Sequence, residues 1–281
     1  MRISLAKHAG YCYGVQRALK LAREATNSST KPIHTLGPII HNPQVVESLQ
    51  GQGVNAVSSV DEVDSGTIII RTHGVDPKII KKVKDCGLEL VDATCPFVAK
   101  AQQRVADLVK EGYNIIIIGE RNHPEVVGLL AYANNQATVV ESAKELDNLE
   151  IIGRTGVVVQ TTQSLANLES ILDVLLTKTK DLKVFNTICN ATSQRQEAAA
   201  ELSQQVDLML VVGGKNSANT TRLAQICQKN NQETYHIETD DEIDELWLAG
   251  IEHIGITAGA STPDWIVQKV IDRLEMLAGE S

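Results

Sequence analysis

Leu88–Gly112 reads LELVDATCPFVAKAQQRVADLVKEG. A short aliphatic run ends at Asp92-Ala93-Thr94, a cysteine follows, and apolar residues then recur at Val98, Ala101, Val105 and Leu108. That three-to-four spacing predicts an amphipathic helix, and Pro96, which has no N–H to lose, suits its first turn. A β-branched strand feeding directly into a helix is the junction from which parallel α/β sheets are built. The thiol of Cys95 stands at that junction.

The same layout recurs twice more. RISLAKHAGYC leads into YGVQRALKLAREA, and LKVFNTIC leads into NATSQRQEAAAELSQQ, so Cys12, Cys95 and Cys189 share one position at spacings of 83 and 94 residues. A second element lies about 28 residues beyond each cysteine: HTLGPIIHNPQVVESLQ, NIIIIGERNHPEVVGLLAYA and LMLVVGGKNSANTTRLAQICQ. Its turns hold His41-Asn42-Pro43, Asn122-His123-Pro124 and Asn216-Ser217-Ala218-Asn219. A third element, TIIIRTHGVDPKIIKKVK, GVVVQTTQSLANLESILDVL and HIGITAGASTPDWIVQKVIDRL, carries His73, Thr161-Thr162 and Ser261 at its strand ends.

Self-similarity at this period identifies repeats of one supersecondary unit. The expectation is an α/β chain of three small parallel or mixed-sheet domains of three strands each, related by a pseudo-threefold axis and divided near the cysteines. The divisions are 13–95, 96–188, and 1–12 together with 189–281. Parallel sheets bind ligands beyond the carboxyl ends of their strands. Three such units would collect three thiols and a ring of His, Ser, Thr and Asn around one cavity.

Bulk properties remove several alternatives. A net charge of −9 and only 3% aromatic residues lack the basic surface and stacking rings of a nucleic-acid binder. No segment approaches the roughly 20 apolar residues that span a bilayer, and MRISLAKHAGYCYGV has no signal-peptide core. The expectation is a cytoplasmic protein without nucleic-acid or membrane partners. Five cysteines are an odd number and a poor disulfide framework for that compartment.

A thiol at a helix start gains from the dipole and the unpaired backbone N–H groups, which favours thiolate. Three thiolates could take zinc with one open position, or an iron–sulfur cluster, which normally has four cysteine ligands. With three, one iron would lack a protein ligand and act as Lewis acid and electron relay. Cys86 and Cys227 fall on apolar-periodic helix positions, so a packing role in the core is expected for both.

His41, His73, His123, Ser217, Asn219 and Ser261 stand where helices begin, an arrangement suited to oxyanions. GGKNSANT lacks the spacing of a P-loop. A histidine so placed can also be a mere cap. Glu125 falls in the first turn of its helix, either as a surface acid complementing the dipole or, if the helix opens into the cavity, as a proton donor.

Eight stretches, GYCYGVQRA, THGV, DATCPFV, GERNHPEVVG, QTT, CNATSQRQ, GGKNSANTTRL and AGASTPDW, together resemble the LytB/IspH family of 4-hydroxy-3-methylbut-2-enyl diphosphate reductases, in order along essentially the whole chain. The resemblance implies a trefoil of three α/β domains around one [4Fe–4S] cluster held by Cys12, Cys95 and Cys189, with one iron lacking a protein ligand. It implies two-electron removal of an allylic hydroxyl at the end of the non-mevalonate isoprenoid route, with electrons from a donor such as flavodoxin or ferredoxin. His41, His73, His123, Ser217, Asn219 and Ser261 would hold the diphosphate. Glu125 would supply protons, and Thr161 would bond near the substrate hydroxyl with Thr162 beside it. Two departures stand out: Ala218 where the family has serine, and Tyr11 and Tyr13 where phenylalanine is usual.

Overall fold

The computed structural model describes residues 1–28, 31–147, 149–151 and 153–279. In chain order the strands are β1 Arg2–Leu5, β2 Ile33–Leu36, β3 Val54–Val57, β4 Thr67–Ile70, β5 Glu89–Asp92, β6 Asn114–Ile118, β7 Thr138–Val140, β8 Thr155–Val159, β9 Leu182–Phe185, β10 Leu208–Val212, β11 Thr234–Ile237 and β12 His253–Ala258. The helices are α1 Tyr13–Ser28, α2 Pro43–Gly51, α3 Pro77–Asp85, α4 Pro96–Lys110, α5 Pro124–Tyr132, α6 Leu165–Lys178, α7 Asn190–Ser203, α8 Ala218–Asn230 and α9 Asp264–Gly279.

The strands form three parallel four-stranded sheets, ordered β3-β2-β4-β5, β7-β6-β8-β9 and β11-β10-β12-β1. The plan is the same each time, and the strand leading to a cysteine is always an edge. Central strands read TIII, NIIII, TGVVV and LMLVV. Such continuous aliphatic runs are what a parallel sheet buried on both faces requires.

The chain divides into two compact units. One comprises Met1–Tyr13, His41–Val45 and Asn190–Ser281; the other comprises Gly14–Ile40 and Val46–Cys189. The first holds the sheet built from β1 and β10–β12. Ile254, Ile256, Leu208 and Leu210 pack with Ile266, Val270 and Leu274 of α9. Met209 and Val211 pack on the opposite side with Ala199 of α7 and Leu223 and Cys227 of α8.

The second unit carries the other two sheets. Its α4 opens from Cys95 at the end of one sheet but lays Ala101, Val105 and Leu108 against Ile115, Ile117 and Val158 of the next. Gly156 makes that approach possible, since a Cβ there would meet Leu108 at 2.6 Å. The Cys95 turn therefore hands the chain from one sheet of this unit to the other.

Each repeat has four strands where the sequence reading expects three. The additional strands, β3, β7 and β11, are edges of three or four residues, too short for a clear period. Each runs into a 3-10 turn spelled SVDE, SAKE or TDDE. The terminal glutamate of each reaches back to a backbone N–H: Glu62 to Ser59 at 2.8 Å, Glu145 to Glu141 at 3.1 Å, and Glu242 to Glu238 at 2.8 Å. The Ser/Thr-x-x-Glu spelling is a fourth repeated element, and at Ser59 it closes a full capping box.

Cys227 is fully buried, and burial pushes its thiol up to about 12, as expected of a core residue. Cys86 is not in the core. It is exposed at the carboxyl cap of α3, past Val83, the residue that buries the helix, and Gly87 turns the chain at φ +69°.

Candidate functional site

The three repeated thiols are all half-buried, and none forms a disulfide. Each backbone N–H donates to a carbonyl two residues beyond the end of a central strand: Cys12 to Ala260 at 3.1 Å, Cys95 to Thr72 at 2.9 Å and Cys189 to Thr161 at 3.0 Å. The residues next to those carbonyls are Ser261, His73 and Thr162. One hydrogen bond, repeated three times, thus fixes each sulfur-bearing turn beside a donor of the expected ring.

Around Cys12 the first unit adds two constraints. Gly10 takes φ +85°, and a Cβ there would lie 3.1 Å from Asp264 Oδ1. Its carbonyl accepts from the buried Arg195 guanidinium of α7 at 2.8 Å. Around Cys95, Arg17 of α1 donates to the carbonyls of Thr94 at 3.2 Å and Asp92 at 3.3 Å. Cys95 is the residue preceding α4, its sulfur makes no cap bond, and Pro96 occupies the first turn. Each of these turns thus presents a half-buried thiol, a soft donor of the kind that suits iron–sulfur ligation.

The ring positions also follow a register. His41, His123 and Ser217 each stand five residues beyond the end of a strand, β2, β6 and β10 respectively. In the first unit Ser261 Oγ donates to the His41 carbonyl at 2.9 Å, and Gly214 comes so near that a Cβ would lie 2.9 Å from that oxygen. Ser217 caps α8, accepting from the Thr220 N–H at 3.4 Å. Asn219 lies in the first turn of the same helix, 4% exposed, with neither its amide oxygen nor its amide nitrogen hydrogen-bonded. A buried amide with both ends unsatisfied costs free energy that a ligand can return. Ala218, beside it, opens α8 with its backbone N–H in the first turn.

In the second unit His73 and His123 meet edge to face, with ring centroids 5.3 Å apart. His123 is itself a cap: the Glu125 N–H donates to its Nδ1 at 3.1 Å. A neutral ring that accepts at Nδ1 carries its proton on Nε2, which is then a donor, the form an oxyanion needs.

Glu125 is not a surface acid. It is 1% exposed, and Thr161 grips both oxygens: the backbone N–H reaches Oε1 at 2.7 Å and Oγ1 donates to Oε2 at 2.8 Å. Burial pushes the carboxyl up to about 7, against the two Thr161 hydrogen bonds, which lower it, and with help from the charge of Glu120. Glu125 and Asn219 occupy equivalent positions, seven residues beyond β6 and β10.

Sequence reasoning passed over Gln160, which is fully buried between the strand β8 and Thr161. Its Oε1 accepts from the Glu120 N–H and its Nε2 donates to Thr162 Oγ1, both at 2.8 Å. A polar residue ending an otherwise aliphatic run, VVVQ, is the signal that marked it. Among the described residues no helix is long and apolar enough to cross a membrane.

The chain is similar to known proteins along its length. The 4-hydroxy-3-methylbut-2-enyl diphosphate reductase of Pelobacter propionicus is 51% identical over 274 residues, which cover 98% of this chain and 98% of that protein. A solved structure of (E)-4-hydroxy-3-methyl-but-2-enyl diphosphate reductase, described as the terminal enzyme of the non-mevalonate pathway, is 44% identical with a TM-score of 0.72, over 98% of this chain and 100% of that one. The structure of the E-1-hydroxy-2-methyl-but-2-enyl-4-diphosphate reductase from Plasmodium falciparum is 31% identical with a TM-score of 0.93, over 96% and 87%. With the model of the LytB protein family matching residues 3–275 as well, the chain belongs to that family.

Proposed function

We propose that this chain reduces (E)-4-hydroxy-3-methylbut-2-enyl diphosphate to isopentenyl and dimethylallyl diphosphates, the last step of the non-mevalonate route to isoprenoid precursors. The reaction consumes two electrons and two protons: the C4–O bond breaks, its oxygen leaves as water, and the allylic fragment gains hydrogen at one of its two ends. The observation that carries the reading is the buried Glu125 carboxyl, held by Thr161 and poised at about 7. A catalytic acid works best with its pKa near the operating pH.

In this reading His41, Ser217, Asn219 and Ser261 bind the diphosphate together with His73 and His123, whose rings and hydroxyls act as donors at helix starts. Binding of that remote group orients the reacting hydroxyl. With Glu125 ionised, Thr161 Oγ1 donates to Oε2. Once Oε2 is protonated the direction reverses, and the Thr161 hydroxyl hydrogen is directed to the substrate oxygen with Thr162 alongside. Glu125 thereby delivers a proton through Thr161 without entering water.

Cys12, Cys95 and Cys189 would hold one [4Fe–4S] cluster, which supplies the electrons and, at an iron lacking a protein ligand, a Lewis-acid site. Electrons would come from an acidic carrier such as flavodoxin or ferredoxin, docking on a local basic patch of this acidic chain. We further assign three domains, 13–95, 96–188 and 1–12 with 189–281, and a cytoplasmic location.

The test is anaerobic. Iron and sulfide are measured in the purified chain, and conversion of the allylic diphosphate is followed with and without a one-electron reductant. Cluster iron, sulfide and reductant-dependent formation of both products are expected. Zinc in place of iron, or product without reductant, would turn the reading toward a zinc protein or a hydro-lyase. Iron and sulfide with no turnover would leave a redox sensor.

A further inference from the structure

Gln160 uses every polar group it has. Its N–H donates to the Ile118 carbonyl at 2.8 Å, its carbonyl accepts from the Gln163 N–H at 3.1 Å, and its side chain spans Glu120 and Thr162. Those two contacts belong to different turns of the same unit. The Glu120 turn leads from β6 into α5 and carries His123 and Glu125; the Thr162 turn leads from β8 toward α6 and carries Thr161.

The neighbourhood is cut to fit the amide. Gly119 precedes Glu120, and a Cβ there would lie 2.7 Å from Gln160 Oε1 and 2.8 Å from Gln160 Cβ. One end of the side chain must accept and the other must donate. Glutamate would accept from Glu120 but could not donate to Thr162 when ionised; leucine could do neither.

We propose that Gln160 is a positioning residue for the proton-delivering pair: it sets the distance between the two turns so that Thr161 meets both oxygens of Glu125, and it fixes the Thr162 hydroxyl as an acceptor on its Gln160 side. The proposal rests on the reading of Glu125 as proton donor. It follows from geometry, because the Thr161 contacts at 2.7 and 2.8 Å bridge two separate turns, and Gln160 is a second buried side chain that links those turns, holding them at the residues next to the pair. Misplacing a reacting group by about 1 Å can cost about 100-fold in rate.

The experiment compares Q160L, Q160E and E125Q in the full-length, cluster-loaded enzyme. It measures kcat and KM across about pH 5.5 to 9 with a chemical one-electron reductant, and thermal melting alongside. Facing Glu125 are Thr161, Glu120 and His123, with His73 against His123. In Q160L kcat is expected to fall by about 10- to 100-fold with KM changed less than about threefold. The alkaline limb should move to higher pH, because the Thr161 donors that hold the carboxyl down are loosened while burial and Glu120 still push it up. Q160E, which keeps the bond from the Glu120 N–H and can meet Thr162 only with donor and acceptor reversed, should show a smaller loss.

Wild-type kcat with an unmoved limb in Q160L overturns the proposal. So does a loss of kcat accompanied only by lower melting temperature, with the limb in place, since that is a structural role. If Q160L fails to fold, Q160E is judged by the same criteria. Full turnover in E125Q would remove the proton-donor reading itself, whereas an inactive E125Q beside a normal Q160L removes only the role of Gln160.

Discussion

Two corners of the molecule occupy the same place in the repeat and are finished differently. Seven residues past β6 stands Glu125, buried, with both oxygens bonded to Thr161. Seven residues past β10 stands Asn219, equally buried, with neither end of its amide bonded. The first corner is complete without a ligand, and that suits a group whose protonation must be set in advance. The second is left unsatisfied inside its own unit, and that suits a group whose partner arrives from solution. One structural repeat thus yields a hydrogen-bonded buried carboxyl in one copy and an unsatisfied buried amide in another.

The largest expected effect separates the corners by kinetics. E125Q keeps the volume and both contacts to Thr161 but cannot give up a proton of comparable acidity, so turnover should fall by about 100- to 10,000-fold. Binding of substrate, read by calorimetric titration of the oxidised enzyme, should change little. Retained turnover would break the comparison at its active end.

Next is a pH window. The folded-state pKa of Glu125 is raised to about 7 from its ordinary value of 4.5, so the folded chain binds this proton more tightly than the unfolded chain does. Its contribution to stability is therefore fully present below about pH 4.5 and lost as pH rises through about 7. The loss is on the order of 3 kcal/mol. E125Q lacks this dependence, and its stability relative to the natural chain should rise between pH 5 and 8 in denaturant titrations. A constant difference across that range would show that the buried carboxyl does not titrate there.

The third prediction gives the corners opposite signs. N219A removes an amide that has no internal partners, so melting of the free protein should be unchanged or slightly raised, while substrate affinity falls by about 10- to 150-fold, the worth of about 1.5–3 kcal/mol for bonds to a charged group. T161V removes a satisfied donor beneath a buried carboxylate and should lower stability by about 1–3 kcal/mol. Equal stability losses in both variants would erase the contrast.

The smallest effect concerns the approach of the two turns. G119A adds one methyl group where Gln160 and Val126 already stand 2.7 Å from the new atom, and should cost about 1–3 kcal/mol through overpacking. G87A, at a turn with open space around it, pays only for its positive φ and should cost less than G119A. Chemical denaturation of both variants checks the order.

Much of this was legible in the residues. Period and composition identify the βα junctions because a strand of isoleucines or valines buried on both faces leaves a sequence signal, and the threefold recurrence of Cys12, Cys95 and Cys189 marks equivalent positions. The edge strands β3, β7 and β11 were hidden by their length, although the SVDE, SAKE and TDDE turns that follow them were in view. Cys86 looked like a core residue because its helix is periodic up to Val83, but a helix face says nothing about the residue that ends it.

The sequence by itself determined the repeat and the parallel α/β class and marked the candidate residues, because local periodicity and turn chemistry are written in neighbouring residues. Tertiary structure alone decided that Glu125 is buried instead of surface-exposed, that Thr161 holds it, and that Gln160 ties two turns together. Each of those depends on groups 36 to 40 residues apart or on which face of a turn meets the core. Desolvation and hydrogen-bond partnership arise only when distant strand ends are packed side by side, and they convert an ordinary carboxylate into an acid poised near neutrality.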